Sequence, residues 1–202
     1  MADNAKMMAS AVALVTAEPE HISQLLPWFS SQQAMMSWGG PGMRFPTNQV
    51  QFLRDIGWLR LASVALIPAQ DVILPANQQS VLGFAQIYSR AGRYHIGRVA
   101  ISPEKRGEGL GQYFLQEVMN GIRLGKDIKN IEQVKANAAH PEGFMLNQAF
   151  CLPFTAEAFS LFVLPHNTAA IRCYQALGFE EAMNPEPLPK GTPECLYMTR
   201  SV

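Results

Sequence analysis

The sequence has no excess of charge of either sign and no long apolar run. Its 202 residues include 16 Lys and Arg and 16 Asp and Glu, so the formal net charge is zero. This balance argues against a broad basic surface for nucleic acid or an anionic membrane, although it is compatible with one local basic pocket. No apolar stretch reaches the roughly 18 to 20 residues that span a bilayer. We therefore expect no nucleic-acid partner and no membrane partner.

Cysteine is scarce as well, with only Cys151, Cys173 and Cys195. Their spacing fits no zinc pattern, and an odd number of thiols cannot complete a disulfide framework. We expect reduced thiols, no metal site and a cytoplasmic location. The length is typical of one domain. We expect a flexible leader over residues 1–10 and a single domain over 11–202.

The hydrophobic pattern predicts alternating strands and helices. Helices are expected after a cap at Thr16, after a cap at Thr47 and from about Gly109 to Leu124, with a possible short helix near 130–138. Another helix is expected from a cap at Asn167 to a stop at Gly178. The predicted strands cover residues 12–16, 59–67, 80–88, 94–102, 158–164, 179–182 and 195–199. Since two helices precede the second strand and single helices separate later strands, this order predicts an α/β fold with a mixed sheet.

A glycine-rich turn joins the strand that ends near Ser102 to the next helix. Glycines at 107, 109 and 111 leave backbone N–H groups uncovered by side chains. Those donors and the positive end of the helix dipole make an anion site, for which a pyrophosphate is the natural occupant. Arg106 adds a positive charge and a planar set of donors.

Other interpretations of this turn are weaker or structural. A Walker loop needs Gly-Lys-Ser/Thr, which the turn lacks, and the dinucleotide fingerprint needs G-x-G-x-x-G, whereas residues 107–111 follow G-x-G-x-G. The glycines alone also fit a turn that merely requires positive φ angles.

Two ordered motifs together resemble the GNAT (GCN5-related N-acetyltransferase) superfamily. The first is Arg106-x-x-Gly109-x-Gly111 after a strand, which resembles the acyl-CoA signature of that family. The second is the segment 167–179, which is similar to the family pattern N-x-x-A-x-x-x-Y-x-x-x-G-F. The terminal run 197–200 resembles the last strand of the family.

The resemblance implies a single-domain GNAT-like fold, with a mixed, mostly antiparallel sheet of about seven strands flanked by helices. It implies an N-acetyltransferase that moves an acetyl group from acetyl-CoA to a primary amine by direct attack in a ternary complex. The acceptor would be a small-molecule or peptide amine. A non-catalytic acyl-CoA-binding sensor or regulatory domain is the alternative. A homodimer also stays open, since members of this family often form dimers.

The resemblance also implies a set of cofactor-binding residues. The main chains of Val99 and Ile101 would pair with the pantetheine arm, beside a bulge in a splayed strand. Asn167 would cap its helix and also bind the arm. The pyrophosphate would be surrounded by Arg106, Gly107, Gly109, Leu110, Gly111 and Gln112.

Two side chains are candidates for proton transfer. Tyr174 lies two helical turns after Asn167, and a phenol of pKa about 10 can donate a proton to a leaving thiolate. It also fits a core tyrosine of an amphipathic helix. His95 is predicted to share a strand face with Gly97 and Val99 and to act as general base. It could instead be a half-buried strand histidine, with water serving as the base.

Two further segments carry open predictions. Trp38, Met43, Arg44 and Phe45 fall in a predicted loop between the first two helices, where they would line an apolar acceptor pocket or close the loop over the core. Residues 125–157 are longer than the family pattern before the fifth strand. We interpret them as an insertion near the acceptor side or at a subunit contact.

Overall fold

The computed structural model describes residues 11–127, 152–188 and 190–202, and for residues 126 and 127 only the backbone. The predicted leader at 1–10, the predicted short helix near 130–138, Cys151 and most of the predicted insertion at 125–157 lie outside the described residues. The division into leader, domain and insertion therefore stays a prediction.

Seven strands form one sheet within the described residues. The strands are β1 (Val12–Thr16), β2 (Ala62–Pro68), β3 (Gly83–Arg90), β4 (Arg93–Ile101), β5 (Ala158–Val163), β6 (Glu180–Glu181) and β7 (Leu196–Ser201). Their order across the sheet is β1-β2-β3-β4-β5-β7-β6. Every neighbouring pair is antiparallel except β4 and β5, which run parallel. This confirms the predicted fold class.

Helices cover both faces of this sheet. The described α-helices are α1 (Pro19–Leu25), α2 (Gln32–Gly39), α3 (Gln49–Asp55), α4 (Leu110–Asp127) and α5 (Thr168–Ala176). α4 and α5 pack on one face in a core centred on Phe114 and Phe159, both fully buried. α1, α2 and α3 pack on the other face, around the fully buried Phe52 and Phe84. The sheet therefore separates two apolar cores, and a ligand must reach it from an edge or through a gap between strands.

The third and fourth strands form an antiparallel hairpin. Arg90 pairs with Arg93, and the two residues between them, Ala91 and Gly92, both have positive φ angles, 47° and 68°. Such two-residue turns match the right-handed twist of the strands they join. The hairpin fixes the register of β4, the strand that positions the candidate site.

The prediction of two helices before the second strand is wrong, because α2 was not expected. The side chain of Ser31 accepts a hydrogen bond from the backbone N–H of Ala34 and so caps this helix. Trp38 therefore lies on a helix and not in a loop. Because α2 mixes polar residues with methionines, its sequence shows no clear helical period of apolar residues. The glycines at its end also favour a loop.

Two predicted helix caps are wrong by one or two residues, and one is confirmed. Glu18, not Thr16, precedes α1 and forms a capping box with His21. Asn48, not Thr47, caps α3 by accepting from the N–H of Gln51. Asn167 caps α5 as predicted, by accepting from the N–H of Ala170 at 3.2 Å. The second strand was predicted at residues 59–67 but starts at Ala62, because Trp58–Arg60 form a 3-10 turn before it.

None of the helices in the described ranges combines the length and the apolar character that crossing a bilayer requires.

Replacing the observed cap of α3 tests the register of this helix. We expect Asn48→Ala to lower the free energy of unfolding by about 1 kcal/mol, because it leaves a backbone N–H of the first turn without its partner. The matched control Thr47→Ala should cost less than about 0.5 kcal/mol. Urea unfolding of both variants measures the difference, and the reverse order would contradict the observed cap.

Candidate active site

The candidate site is a gap in the middle of the sheet, where β4 and β5 part. The two strands pair only at Tyr94 with Phe159 and at His95 with Ser160. β4 then continues to Ile101 and β5 to Val163 with no further pairing between these two described strands. The main chain on this edge of β4 is therefore free of strand partners over its last six residues, and an extended ligand could pair with it.

A β-bulge interrupts the regular pairing of β4 with β3 beside the gap. Gln86 lies opposite Gly97 and Phe84 lies opposite Ala100, so Arg98 and Val99 together face the single residue Ala85. Arg98 has a φ of 51°, a left-handed conformation that costs a non-glycine residue about 1 kcal/mol or more. The bulge that the resemblance implied is thus present.

The bulge overturns one prediction about strand faces. Residues paired across strands project on the same side of a sheet, so His95 shares a face with Tyr88 and Gly97. Val99 lies after the inserted residue and packs with Ile101 against the core of α4 and α5. The prediction that His95 and Val99 share a face is wrong, because the extra residue shifts the alternation by one.

The glycine-rich turn presents a row of backbone donors at the start of α4. Gly107 and Gly109 both have φ angles of 83°, which only glycine adopts without strain. Within the described ranges, no backbone carbonyl accepts from the N–H groups of residues 106–111, whereas Gln112 and Tyr113 donate to the carbonyl of Gly109. The turn is exposed, and α4 has 18 residues, so its dipole adds positive potential at this end. The arrangement suits an anion.

Arg106 brings a guanidinium group to the same turn. Its Nε donates to the carbonyl oxygen of Ile101 at 3.1 Å, which ties the side chain to the end of β4. This bond uses one of five donors, so the two terminal nitrogens can serve a further acceptor. The predicted residues of the turn are therefore brought together, with Leu110 buried beneath them.

Tyr174 lies on α5, the helix that packs with α4 on one face of the sheet. It is 8% exposed and belongs to the core that also holds Val99, Ile101 and Leu110. Burial raises the pKa of its phenol above the ordinary value, and the neighbouring Cys173 adds to the effect. The hydroxyl is therefore protonated at neutral pH. Tyr174 is thus a core tyrosine of an amphipathic helix, and its role as proton donor stays a prediction.

His95 is enclosed, and its surroundings do not suit a general base. It is 2% exposed, and its Nδ1 lies 3.0 Å from the hydroxyl oxygen of Ser160. Burial lowers its pKa to about 3, and the charges of Arg90 and Arg98 contribute to the lowering. An imidazole with this pKa takes up a proton poorly at neutral pH. The geometry does not support the predicted role.

The end of α2 and the segment that follows it close over the core. The indole of Trp38 stacks on Phe52, with ring centroids 5.6 Å apart, and Met43 is 2% exposed. Arg44 forms an ion pair with Asp55. Of the two interpretations of this segment, the contacts favour the one in which it covers the core.

A cavity of about 380 Å³ lies on the α1–α3 side, at the end of β5. α2 contributes part of its wall and the residues that follow β5 contribute another part. No carboxylate lines it among the described residues. This cavity could not be expected from the sequence because α2 was not expected. The lining residues include Gln32, Met36, Ser37, Leu164, His166 and Pro193.

Metal chemistry has no visible site in the part of the chain that the structure describes. No group of three or more His, Cys, Asp or Glu residues is placed there to hold an ion. Cys173 and Cys195 are free thiols.

No family model matches the sequence. The structure is similar to solved acetyltransferases at low sequence identity. An acetyltransferase from Thermus thermophilus superposes with a TM-score of 0.54 at 18% identity, covering 95% of this chain and 97% of that one. A GNAT-family acetyltransferase from Streptococcus pneumoniae gives 0.50 at 13%, with coverages of 95% and 99%.

A third similar structure contains ligands. It is the spermidine N-acetyltransferase from Vibrio cholerae in complex with CoA and spermine, with a TM-score of 0.56 at 14% identity and coverages of 95% and 96%. Together the three show that this chain has the fold of the GNAT acetyltransferases.

The burial of His95 predicts a pH dependence of stability. Its pKa of about 3 in the folded state lies below the ordinary 6.5, so the unfolded chain binds one proton more between these values. Stability should therefore fall as the pH drops below about 6.5, by up to about 1.4 kcal/mol per pH unit from this residue alone. Urea unfolding between about pH 7.5 and 5 measures the slope. We expect a shallower slope for His95→Gln, and equal slopes would contradict the buried neutral state.

Proposed function

We propose that this protein is an acetyl-CoA-dependent N-acetyltransferase. The observation that carries the proposal is the gap between β4 and β5, which opens beside a row of free backbone donors at the start of α4. The GNAT fold and the two sequence motifs support it. Fold alone does not fix function, so the argument rests on how the residues of the gap fit the cofactor.

The free edge of β4 fits the pantetheine arm. A chain of amides in extended form can pair with an unpartnered strand through main-chain hydrogen bonds. Val99 and Ile101 would supply those groups, since their side chains point into the core of α4 and α5 and leave the backbone edge clear. We propose that Asn167, which caps α5, borders the same arm.

The glycine-rich turn fits the pyrophosphate. Its anionic oxygens require several donors and positive potential, which the N–H groups of residues 106–111 and the dipole of α4 supply. Arg106 would add a charge-assisted bond from its terminal nitrogens. In this proposal Gly107, Gly109, Leu110, Gly111 and Gln112 surround the phosphates.

The chemistry divides between the bulge and Tyr174. Bound acetyl-CoA supplies an acetyl group activated as a thioester. A backbone N–H at the Arg98–Val99 bulge would donate to the thioester oxygen and stabilise the negative charge that develops there. The buried phenol of Tyr174, neutral at its raised pKa, would donate its proton to the leaving sulfur. The amine attacks directly and releases its proton to water, since His95 is too weak a base.

The acceptor side is the face covered by α1, α2 and α3. The cavity beside α2 opens there, across the sheet from Tyr174. We propose that the amine enters from this cavity and meets the acetyl group in the gap. A small-molecule or peptide amine, a cytoplasmic location, a homodimer and a role for residues 125–157 remain predictions.

Cofactor binding tests the proposal first. We expect calorimetric titration to show saturable binding of acetyl-CoA, and no comparable binding of NADH or ATP, because the gap fits a pantetheine arm. Arg106→Gln should weaken the affinity by about tenfold, since a hydrogen bond to a charged group is lost. The control Arg54→Gln removes an exposed arginine of α3 and should leave the affinity unchanged. Absence of acetyl-CoA binding would contradict the proposal.

Replacement of Tyr174 separates catalysis from mere binding. We expect Tyr174→Phe to keep the affinity for acetyl-CoA and to lower kcat by about a hundredfold or more, because the proton donor is removed and the packing is kept. Thiol release with a reactive amine measures kcat. Unchanged turnover would remove the acid role, and binding without turnover in the wild type would favour a non-catalytic acyl-CoA sensor.

A further inference from the structure

A continuous row of rings crosses four strands on the acceptor face. It consists of Tyr88 on β3, His95 on β4, Phe162 on β5 and Tyr197 on β7. The successive ring centroids are 4.9, 5.1 and 5.2 Å apart. The strand pairing places all four on the face of the sheet opposite Tyr174. Tyr88 and Phe162 are partly exposed, so solvent or a ligand reaches this row.

Buried polar atoms without partners gather around this aromatic row. Within the described residues, four such atoms occur: Arg90 Nε, Arg98 Nε, Thr192 Oγ1 and Tyr197 Oη. Tyr197 belongs to the row, and the guanidinium of Arg90 lies 5.0 Å from the ring centre of Phe162. Buried polar groups in folded proteins nearly always have partners, so a cluster of exceptions needs an explanation. A ligand that accepts hydrogen bonds would supply one if the side chains that cover these atoms moved aside on binding.

Arg98 lies beside the row, and Thr192 belongs to a neighbouring segment. Arg98 starts the bulge that follows His95 and Gly97, and its charge acts on both Tyr88 and His95. Thr192 lies in the segment between β6 and β7, which reaches Arg90 through an ion pair with Glu186 and lines the cavity through Pro193. Three of the four atoms, those of Arg90, Arg98 and Tyr197, therefore come from separate strands and lie on one face.

The charge of Arg98 has no counter-ion among the described residues. Its Nη1 donates to the side-chain oxygen of Gln86 at 2.6 Å and to the carbonyl of Ile56 at 3.2 Å, both neutral acceptors. Arg90 has only a long contact, 3.7 Å, to the half-exposed Glu186. Burial lowers the pKa of Arg98, which reflects the cost of keeping this cation out of water. An anion beside it would offset that cost.

The position of Arg98 links this charge to the gap. Its backbone is the bulge that faces the parting of β4 and β5, and its carbonyl accepts a hydrogen bond from the indole of Trp38 on α2. Among the described residues, none that lines the cavity beside α2 is a carboxylate. The acceptor face therefore combines uncompensated positive charge with a cavity that offers no negative charge, which would repel a polycation such as a polyamine.

We propose that the acceptor is an amine that also carries a carboxylate, and that Arg98 and Arg90 bind this carboxylate on the aromatic row. The inference rests on the proposed acetyl transfer and narrows its substrate class. The carboxylate would pair with the guanidinium groups of the two arginines and neutralise the buried charge of Arg98. The amine of the same molecule then reaches the gap. A free amino acid and a peptide with a free carboxyl group share this chemistry.

Matched acid and amide acceptors test the inference. Each protein amino acid is offered free and as its C-terminal amide, with spermidine as the polycation, and both thiol release and direct binding to the protein are measured at up to about 10 mM. We expect at least one free acid to exceed its amide by about tenfold or more in kcat/KM or affinity, as loss of a hydrogen bond to a charged group implies. Dipeptides with free and amidated ends then distinguish the two sources.

Variants of the two arginines assign the preference. Arg98→Gln should lower the affinity for the acid about tenfold relative to the affinity for the amide, so that the preference for the acid is lost. Arg98→Lys should restore part of the preference because it keeps the charge. If Arg98→Gln has a lower melting temperature than the wild type, Arg90→Gln at the rim of the row provides a second measurement of the preference for the acid. The exposed Arg60→Gln is the control and should keep the full preference.

Three results would overturn the inference. They are equal binding of acids and amides, a preference for spermidine, and no binding of any acid by protein that binds acetyl-CoA. In each case acetyl-CoA binding leaves the proposed function intact. If acetyl-CoA itself does not bind, the proposed function fails, whereas binding of free acids that depends on Arg98 would still support the anion site.

Discussion

The parting of β4 from β5 is the constraint on which the rest of the candidate site depends. After two paired residues the strands separate. The bulge at Arg98 and Val99 then shifts by one residue the alternation of β4 side chains between the two faces of the sheet. A sheet that stayed paired here would bury the main chain of Val99 to Ile101 and close the passage between its faces. In the proposed function, the parting lets the donors at the start of α4, the phenol of Tyr174 and the cavity beside α2 serve one opening.

The two faces of the opening differ in chemistry, which suits two different ligands. On the face of α4 and α5, the donors are backbone N–H groups in an exposed, glycine-rich turn, and the side chains beneath are apolar. On the face of α1 to α3, aromatic rings and two arginines supply the surface. The first arrangement fits phosphates and an extended arm, and the second fits a small molecule with a negative charge. In the proposed function, the sheet would keep the two ligands apart until they meet at the bulge.

Much of this could be predicted from local sequence. Gly107, Gly109 and Asn167 act through their own backbone or through the next helical turn, so their spacing predicts the glycine-rich turn and the helix cap. The strands that contain β-branched residues were also predicted close to their observed positions. What depends on long-range packing was not predictable. α2 has no clean apolar period, the bulge moved Val99 to the face opposite His95, and Arg98 becomes a buried cation only once Gln86 and Ile56 surround it. An arginine between Gly97 and Val99, inside a predicted strand, was the one signal for that position.

The most direct test of the account is a titration of the isotope-labelled protein with acetyl-CoA, followed through the backbone amide resonances. The account predicts that the largest shifts fall in residues 99–101 and 106–112, with smaller changes at Asn167 and Tyr174, because these groups border the gap and the donor row. Shifts confined to other parts of the chain, or no shifts at concentrations at which related folds bind their cofactor, would contradict it. Such a result would mean that the parting of β4 and β5 is a structural feature with no ligand.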